Sequence, residues 1–226
     1  MRTGDNVGLN ETGAAIRHCV IAAHPEPHSF TMAVAHRYCE AVADQGQQPV
    51  LRDLYPMGFD PLLKADEILR STSFQPRPDV AAELDLLADA AAIVLIYPIW
   101  FGTPPAIIKG YVERVLGAGA SPSSLTHHLG QSIVPRLSGK RLLSFTSSGA
   151  SQEWLSEQGA WAALETVFDG YIARAFWMDT PQHVHFAEVT ANLDPAIAER
   201  HFSEVEKKTV ALCRELAARK PTASPP

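Results

Sequence analysis

The sequence predicts an α/β fold, a parallel sheet covered by helices on both faces. Three observations carry this expectation. Short apolar runs of strand type alternate with stretches of helical periodicity along most of the chain. The 226 residues are 46% hydrophobic, enough for one sizeable core and too few for two full domains. The apolar run Ala91–Ile96 leads through an aromatic, proline-rich loop straight into a helical pattern.

Taken in order, residues 17–23 read as the first strand and 24–28 as a loop. Residues 29–45 form the first helix, with Phe30, Val34, Tyr38 and Ala41 at helical spacing. Residues 49–54 are the second strand. A long, irregular, proline-rich connection covers 55–77, and residues 78–89 are the second helix. The third strand is 91–96. In the helix that follows, Thr103 is expected at the N-cap, with Pro104 and Pro105 in the first turn, where free N–H groups have no partner anyway. Ile107, Ile108, Tyr111, Val112 and Val115 then share one face. Residues 118–137 are rich in Gly, Ser and Pro and read as a loop or lid. Strand four is 140–146, a largely helical stretch covers 153–171, and strand five is expected at 173–178, Ala-Arg-Ala-Phe-Trp-Met. Residues 194–218 close the domain as a helix, with Asp194 at the N-cap and Pro195 at its first position. Residues 1–15 read as a flexible leader, 16–219 as a single domain and 220–226 as a disordered tail.

Bulk properties exclude several functions. The formal net charge is -6 with no strongly basic run, which argues against nucleic acid as a partner. No apolar run reaches membrane-spanning length, and no signal peptide is visible. Cys19, Cys39 and Cys213 are odd in number and far apart, so neither a disulfide framework nor a zinc pattern is expected, and a reducing cytoplasm fits. His127 and His128 are adjacent in a loop with no third ligand, and His183 and His185 alternate across an extended segment. Neither pair makes a metal site.

Two strand-to-helix loops carry chemistry. The third strand ends in Tyr97-Pro98-Ile99-Trp100-Phe101-Gly102, at the carboxyl edge where open α/β sheets bind ligands, and its aromatics suit a flat aromatic ligand. The first loop, Ala23-His24-Pro25-Glu26-Pro27-His28-Ser29-Phe30-Thr31, opens a helix whose free N–H groups and dipole favour a phosphate. It lacks glycine, so it is neither a Walker loop nor a dinucleotide-type turn.

Pro98, Phe101, Pro105, Ala106, Lys109, Gly110, Tyr111, Glu113, Arg114 and Val115, together with the Ala-His-Pro loop at Ala23, resemble the signature of the NAD(P)H:quinone oxidoreductase family, flavodoxin-like flavoproteins of the DT-diaphorase type. The resemblance covers about residues 17–215. It implies a flavodoxin-like three-layer sandwich with a five-stranded parallel sheet in the order 2-1-3-4-5. It also implies a bound flavin. His24, His28, Ser29, Phe30 and Thr31 would hold its phosphate and ribityl end. Pro98, Ile99, Trp100, Phe101 and Gly102 would flank its ring system. Thr146, Ser147, Ser148 and Gly149 would face its pyrimidine edge. FAD and FMN both stay open, with Glu113 and the closing helix favouring FAD. NAD(P)H is the expected electron donor, a quinone-like molecule the acceptor, and two-electron ping-pong transfer the mechanism. Family habit adds a homodimer, with 55–77 and 118–137 as candidate contacts.

The sequence departs from the family in the segment that supplies a tyrosine and a histidine to stabilise charge on the reduced flavin. Here Trp154 lies near the tyrosine position and Trp161 at the histidine position. Indole N–H is a donor only, so neither exchanges a proton. Either tryptophan can line the pocket or belong to the core. The loss keeps a second reading alive, a flavin-bound ancillary subunit with weak catalysis. A one-electron flavodoxin-type carrier fits less well, because such carriers are more acidic and have a Ser/Thr-rich first loop.

Overall fold

A computed structural model of the chain describes residues 15–68, 75–117 and 137–219. Most of the expected leader, the tail and the 118–137 segment with His127 and His128 lie outside the described residues. Five strands form one parallel sheet in the order β2-β1-β3-β4-β5. They are β1 (Arg17–Ala22), β2 (Gln48–Asp53), β3 (Ala92–Pro98), β4 (Arg141–Ser147) and β5 (Gln182–Phe186). All seven residues of the central β3 are buried, as expected of a parallel strand covered on both faces.

On one face lie α1 (Phe30–Asp44) and α7 (Pro195–Ala217). They pack Met32, Val34, Tyr38, Val205 and Leu212 against Val20, Val94, Ile96, Phe145, Val184 and Phe186. The other face carries α2 (Pro78–Asp89), α3 (Ala106–Tyr111), α4 (Gln152–Glu157), α5 (Ala160–Leu164) and α6 (Gly170–Ala175). Their Leu84, Leu87, Ile108, Leu164 and Ile172 meet Cys19, Ile21, Ile93 and Leu95. Strand residues thus alternate between the two cores.

The helix ends follow their capping chemistry. Ser29 accepts a bond from Met32 N and starts α1, and Asp194 accepts one from Ala196 N and starts α7, with Pro195 next. The segment after β3 is held by a buried ion pair. Arg114 meets Glu67 with both side chains only 2% exposed, and also binds Asp79 and the carbonyl of Asp60. Gly110 lies against Pro61, where an added Cβ would come within 2.3 Å of the Pro61 carbonyl oxygen.

Two expectations are corrected. Residues 173–178 are no strand: Gly170–Ala175 is helical, and Phe168, Ile172 and Phe176 are buried at a spacing of four, a helical period. Trp177, at φ 54°, then turns the chain toward β5, whose sequence Gln-His-Val-His-Phe is far more polar. Second, Thr103 does not cap α3. Its hydroxyl donates to the Trp100 carbonyl, and Pro105 holds the cap position. The stretch after β4 is largely helical as expected, with one break at Gly159, in the left-handed region, and a wider i→i+5 turn over Glu165–Asp169.

Candidate active site

The site assembles at the carboxyl edge of the sheet. The chain leaves β1 through His24 to His28 and reaches the start of α1. The first α-helical backbone bond there runs from Ala33 N to Ser29 O, so the amides of Phe30 and Thr31 precede the intrahelical ladder. Glu26 N donates to His24 Nδ1 at 3.0 Å. With Nδ1 as acceptor, the neutral ring carries its proton on Nε2 and can donate there. His28 is exposed and Thr31 buried.

The β3 loop lies beside this one: the rings of His24 and Trp100 are 5.7 Å apart, edge to face. Trp100 and Thr103 exchange both backbone hydrogen bonds around Phe101 (φ 51°) and Gly102 (φ 78°), a two-residue reverse turn. It puts the Phe101 ring at the tip, fully exposed, in a backbone region that non-glycine residues rarely occupy. Ile99 N donates to Ser147 O at 2.7 Å, which ties this loop to the end of β4.

Two shallow crevices flank the strand tips. On the α1 face, Phe30, Thr31, Tyr97, Thr146, Ser147 and Phe186 line one. On the opposite face, Ile99, Gly102, Leu155, Ala160, Trp161 and Leu164 line the other. Trp161 therefore lies beside the β3 loop, whereas Trp154 is exposed.

Some expected site residues are engaged otherwise. The Phe30 ring stacks on Phe202 at 5.5 Å and meets Phe186 and His201 edge-on, so the half-buried side chain packs against the core at the crevice edge. The amide of Ser148 donates to Phe186 O. The hydroxyls of Thr146 and Ser148 are bonded to β5: Thr146 Oγ1 lies 2.7 Å from His183 Nε2 and 2.9 Å from His185 Nδ1, and Ser148 Oγ 3.0 Å from His185 Nε2. Ser147 and Gly149 are left to offer donors at the rim.

Sequence reasoning missed a buried polar cluster behind that loop. Asp169 pairs with His183 Nδ1 and accepts a bond from Ser144 Oγ at 2.9 Å. The Trp161 ring covers both histidines, with centroids 4.7 Å from His183 and 5.2 Å from His185. Burial, and then the neighbouring His183, lower the pKa of His185 from 6.5 to about 4. The period-two spacing of His183 and His185 was the available signal. Asp169 gave none, because the i→i+5 turn buries Phe168 and Asp169 side by side and breaks the helical period.

Fold and loops define an α/β protein of parallel-sheet type in which the loops after β1, β3 and β4 meet at the carboxyl edge of the sheet. A family model described as the flavodoxin-like fold matches residues 17–209. A NAD(P)H oxidoreductase of Haemophilus influenzae is 33% identical over 145 residues, 64% of this chain and 70% of that protein. NAD(P)H dehydrogenase [quinone] 1 of Rattus norvegicus is 32% identical over 172 residues, 68% of this chain and 61% of the rat protein. Among solved structures, a NAD(P)H:quinone oxidoreductase from Methanothermobacter marburgensis superposes with a TM-score of 0.76 at 21% identity, covering 93% of this chain and all of that one. An FMN-dependent NADH-azoreductase of Bacillus anthracis, in complex with FMN, gives 0.63 at 16% identity, covering 88% of this chain and 99% of that one. The chain belongs to the flavodoxin-like family of NAD(P)H:quinone oxidoreductases, and by that membership it is an oxidoreductase.

Proposed function

We propose that the protein is a flavin-dependent NAD(P)H oxidoreductase that passes two electrons to a quinone-like acceptor by a ping-pong mechanism. The convergence of the His24–Ser29 loop on the Trp100–Phe101 turn carries this reading. The donor set fits a flavin. The start of a 15-residue helix, with His24 Nε2 beside it, suits a phosphate. The Pro98–Gly102 loop offers an apolar flank to a ring system, and Ser147 and Gly149 offer polar groups to its edge.

A bound flavin would supply the hydride chemistry. The protein's own residues bind and exclude water. His24, Ser29 and the first amides of α1 hold the phosphate end. Ile99, Trp100 and Phe101 cover one side of the rings, and Trp161 closes the opposite crevice. Donor and acceptor enter the same opening in turn. The first loop serves FMN and FAD alike, because both carry a phosphate at this point. The FMN complex of the azoreductase favours FMN, whereas Glu113 favours FAD only weakly, since it is paired with Lys109. Soluble behaviour in the cytoplasm and a homodimer complete the proposal. Among the described residues no helix is long and apolar enough to cross a membrane, which agrees with the first of these.

The test is to purify the protein, record its visible spectrum and add NADH or NADPH without oxygen, then a small quinone. A flavin band that bleaches and returns with quinone is the expected result. Bound flavin that bleaches only slowly would favour the ancillary-subunit reading. Protein that neither retains flavin nor can be reconstituted with FMN or FAD would overturn the assignment.

A further inference from the structure

The geometry points to a proton relay through Ser148, His185, Thr146 and His183, ending on Asp169, that feeds the site a proton in place of the residues Trp154 and Trp161 do not supply. Its use in catalysis rests on the oxidoreductase reading above; its existence does not.

The chain of contacts is continuous. Asp169 pairs with His183 Nδ1, and His183 Nε2 is 2.7 Å from Thr146 Oγ1. Thr146 Oγ1 is 2.9 Å from His185 Nδ1, and His185 Nε2 is 3.0 Å from Ser148 Oγ. Ser148 Oγ also reaches the Ala150 carbonyl at 3.2 Å. Two complete sets of donors satisfy this geometry, and they differ by one proton. In the first, His183 is neutral and donates from Nδ1 to Asp169. Thr146 then donates to His183 Nε2, His185 Nδ1–H donates to Thr146, and Ser148 donates to His185 Nε2. In the second, His183 is an imidazolium facing the Asp169 carboxylate, and every other bond reverses. His183 Nε2–H donates to Thr146, Thr146 donates to His185 Nδ1, His185 Nε2–H donates to Ser148, and Ser148 donates to Ala150 O.

Conversion of the second set into the first releases one proton at Ser148 Oγ. His185 Nε2 replaces it, Thr146 replaces the His185 proton at Nδ1, and His183 Nε2 replaces the Thr146 proton. His185 stays neutral in both sets and only changes tautomer. The charge rests on His183, where Asp169 stabilises it with a second bond from Ser144. The Trp161 ring covers His183, and on β3 lies the buried Tyr97, whose pKa is raised by burial and then by Asp169. Ser148, itself buried, follows the last residue of β4 and precedes the exposed Gly149, so the outer end of the relay lies one residue from the surface of the strand-end loops.

The chemistry requires such a proton. Reduction of a quinone to a hydroquinone takes two electrons and two protons. NAD(P)H supplies both electrons and one proton as hydride, breaking its C4–H bond. The second proton is the one the relay delivers, forming an O–H bond on the acceptor while His183 returns to neutral. Water then reloads the relay through Ser148.

The test follows the side-chain nitrogens of His183 and His185 by NMR across pH in the purified protein, in wild type and in Thr146→Val and Thr146→Ser. Protonation of His183 should switch His185 from the Nδ1–H to the Nε2–H tautomer without charging it. Thr146→Val should abolish the switch and Thr146→Ser restore it. One fixed His185 tautomer in wild type would overturn the relay, even if Thr146→Val does not fold. With the flavin-loaded protein, Thr146→Val should slow quinone reduction about 100-fold, the lower end expected for loss of a positioned proton donor, and bleaching by NAD(P)H by less than about threefold. Unchanged quinone reduction would overturn the catalytic role. A tautomer switch in protein that binds no flavin would leave the relay standing and sink the oxidoreductase reading instead.

Discussion

The two halves of the carboxyl edge are built differently. The β1/β3 half is made of chain-local pieces: a serine cap, a tight turn and a helix start, each set by a few adjacent residues. The β4/β5 half is made of side chains brought together from far apart, Ser144, Thr146 and Ser148 from one strand, His183 and His185 from the next, and Asp169 from a helix. The first half presents donors and rings outward. The second turns its hydroxyls inward and stores its polarity behind Trp161. A ligand site is therefore expected to depend on the first half for affinity and on the second for proton supply.

The largest effect should come from breaking the scaffold under the first half. Arg114→Met leaves Glu67 buried and unpaired and should cost about 3–5 kcal/mol in urea unfolding. A loss below about 1 kcal/mol would show that the β3 segment does not rest on this pair. Gly110→Ala should cost about 1–3 kcal/mol, because the new methyl meets Pro61 backbone and overpacks the contact. Native stability in that variant would mean that the 55–68 connection shifts freely.

The second half should show itself in pH dependence. Burial lowers the pKa of His185 to about 4, so the unfolded chain takes up its proton first, near 6.5. Stability is then complete above about 6.5 and falls as the pH drops toward about 4. Buried His18 and half-buried His201 are shifted the same way and add to the slope. The depressed carboxylate Glu67 adds its own loss only below its ordinary 4.5. Urea midpoints between these limits should fall with pH, and His185→Gln should flatten part of the slope. Equal slopes in the two proteins would contradict a buried neutral His185.

The smallest effect separates stability from binding. Phe101→Gly removes a side chain from a left-handed position and should stabilise the fold by up to about 1 kcal/mol. The same change should weaken flavin retention, because the exposed ring contributes nothing else. A loss in both measurements would make Phe101 a structural residue.

These differences also explain what was legible in the sequence. The strands up to β4 follow from the alternation of strand-type and helical stretches, the order of the sheet from the family motif, and the start of the last helix from the local signal of Asp194 and Pro195. The fifth strand is misplaced because Ala173–Met178 has the composition of a strand, while the buried Phe168, Ile172 and Phe176 repeat every fourth position across its start. Gln182–Phe186 hid behind its two histidines, being an edge strand with polar groups on one face. The bonds of Thr146 and Ser148 to His183 and His185 are not legible, because no local rule reveals a histidine pair on the next strand. The stacking of Phe30 on Phe202 is hidden for the same reason, Phe202 lying on the last helix.

The most direct test of the phosphate-binding edge is an equilibrium titration of flavin-free protein with FMN and with riboflavin, which differ only in the phosphate. Charge-assisted bonds from His24 and the α1 amides should make FMN bind at least about tenfold tighter. Equal affinity for the two, or binding of neither, would contradict a flavin held at the start of α1.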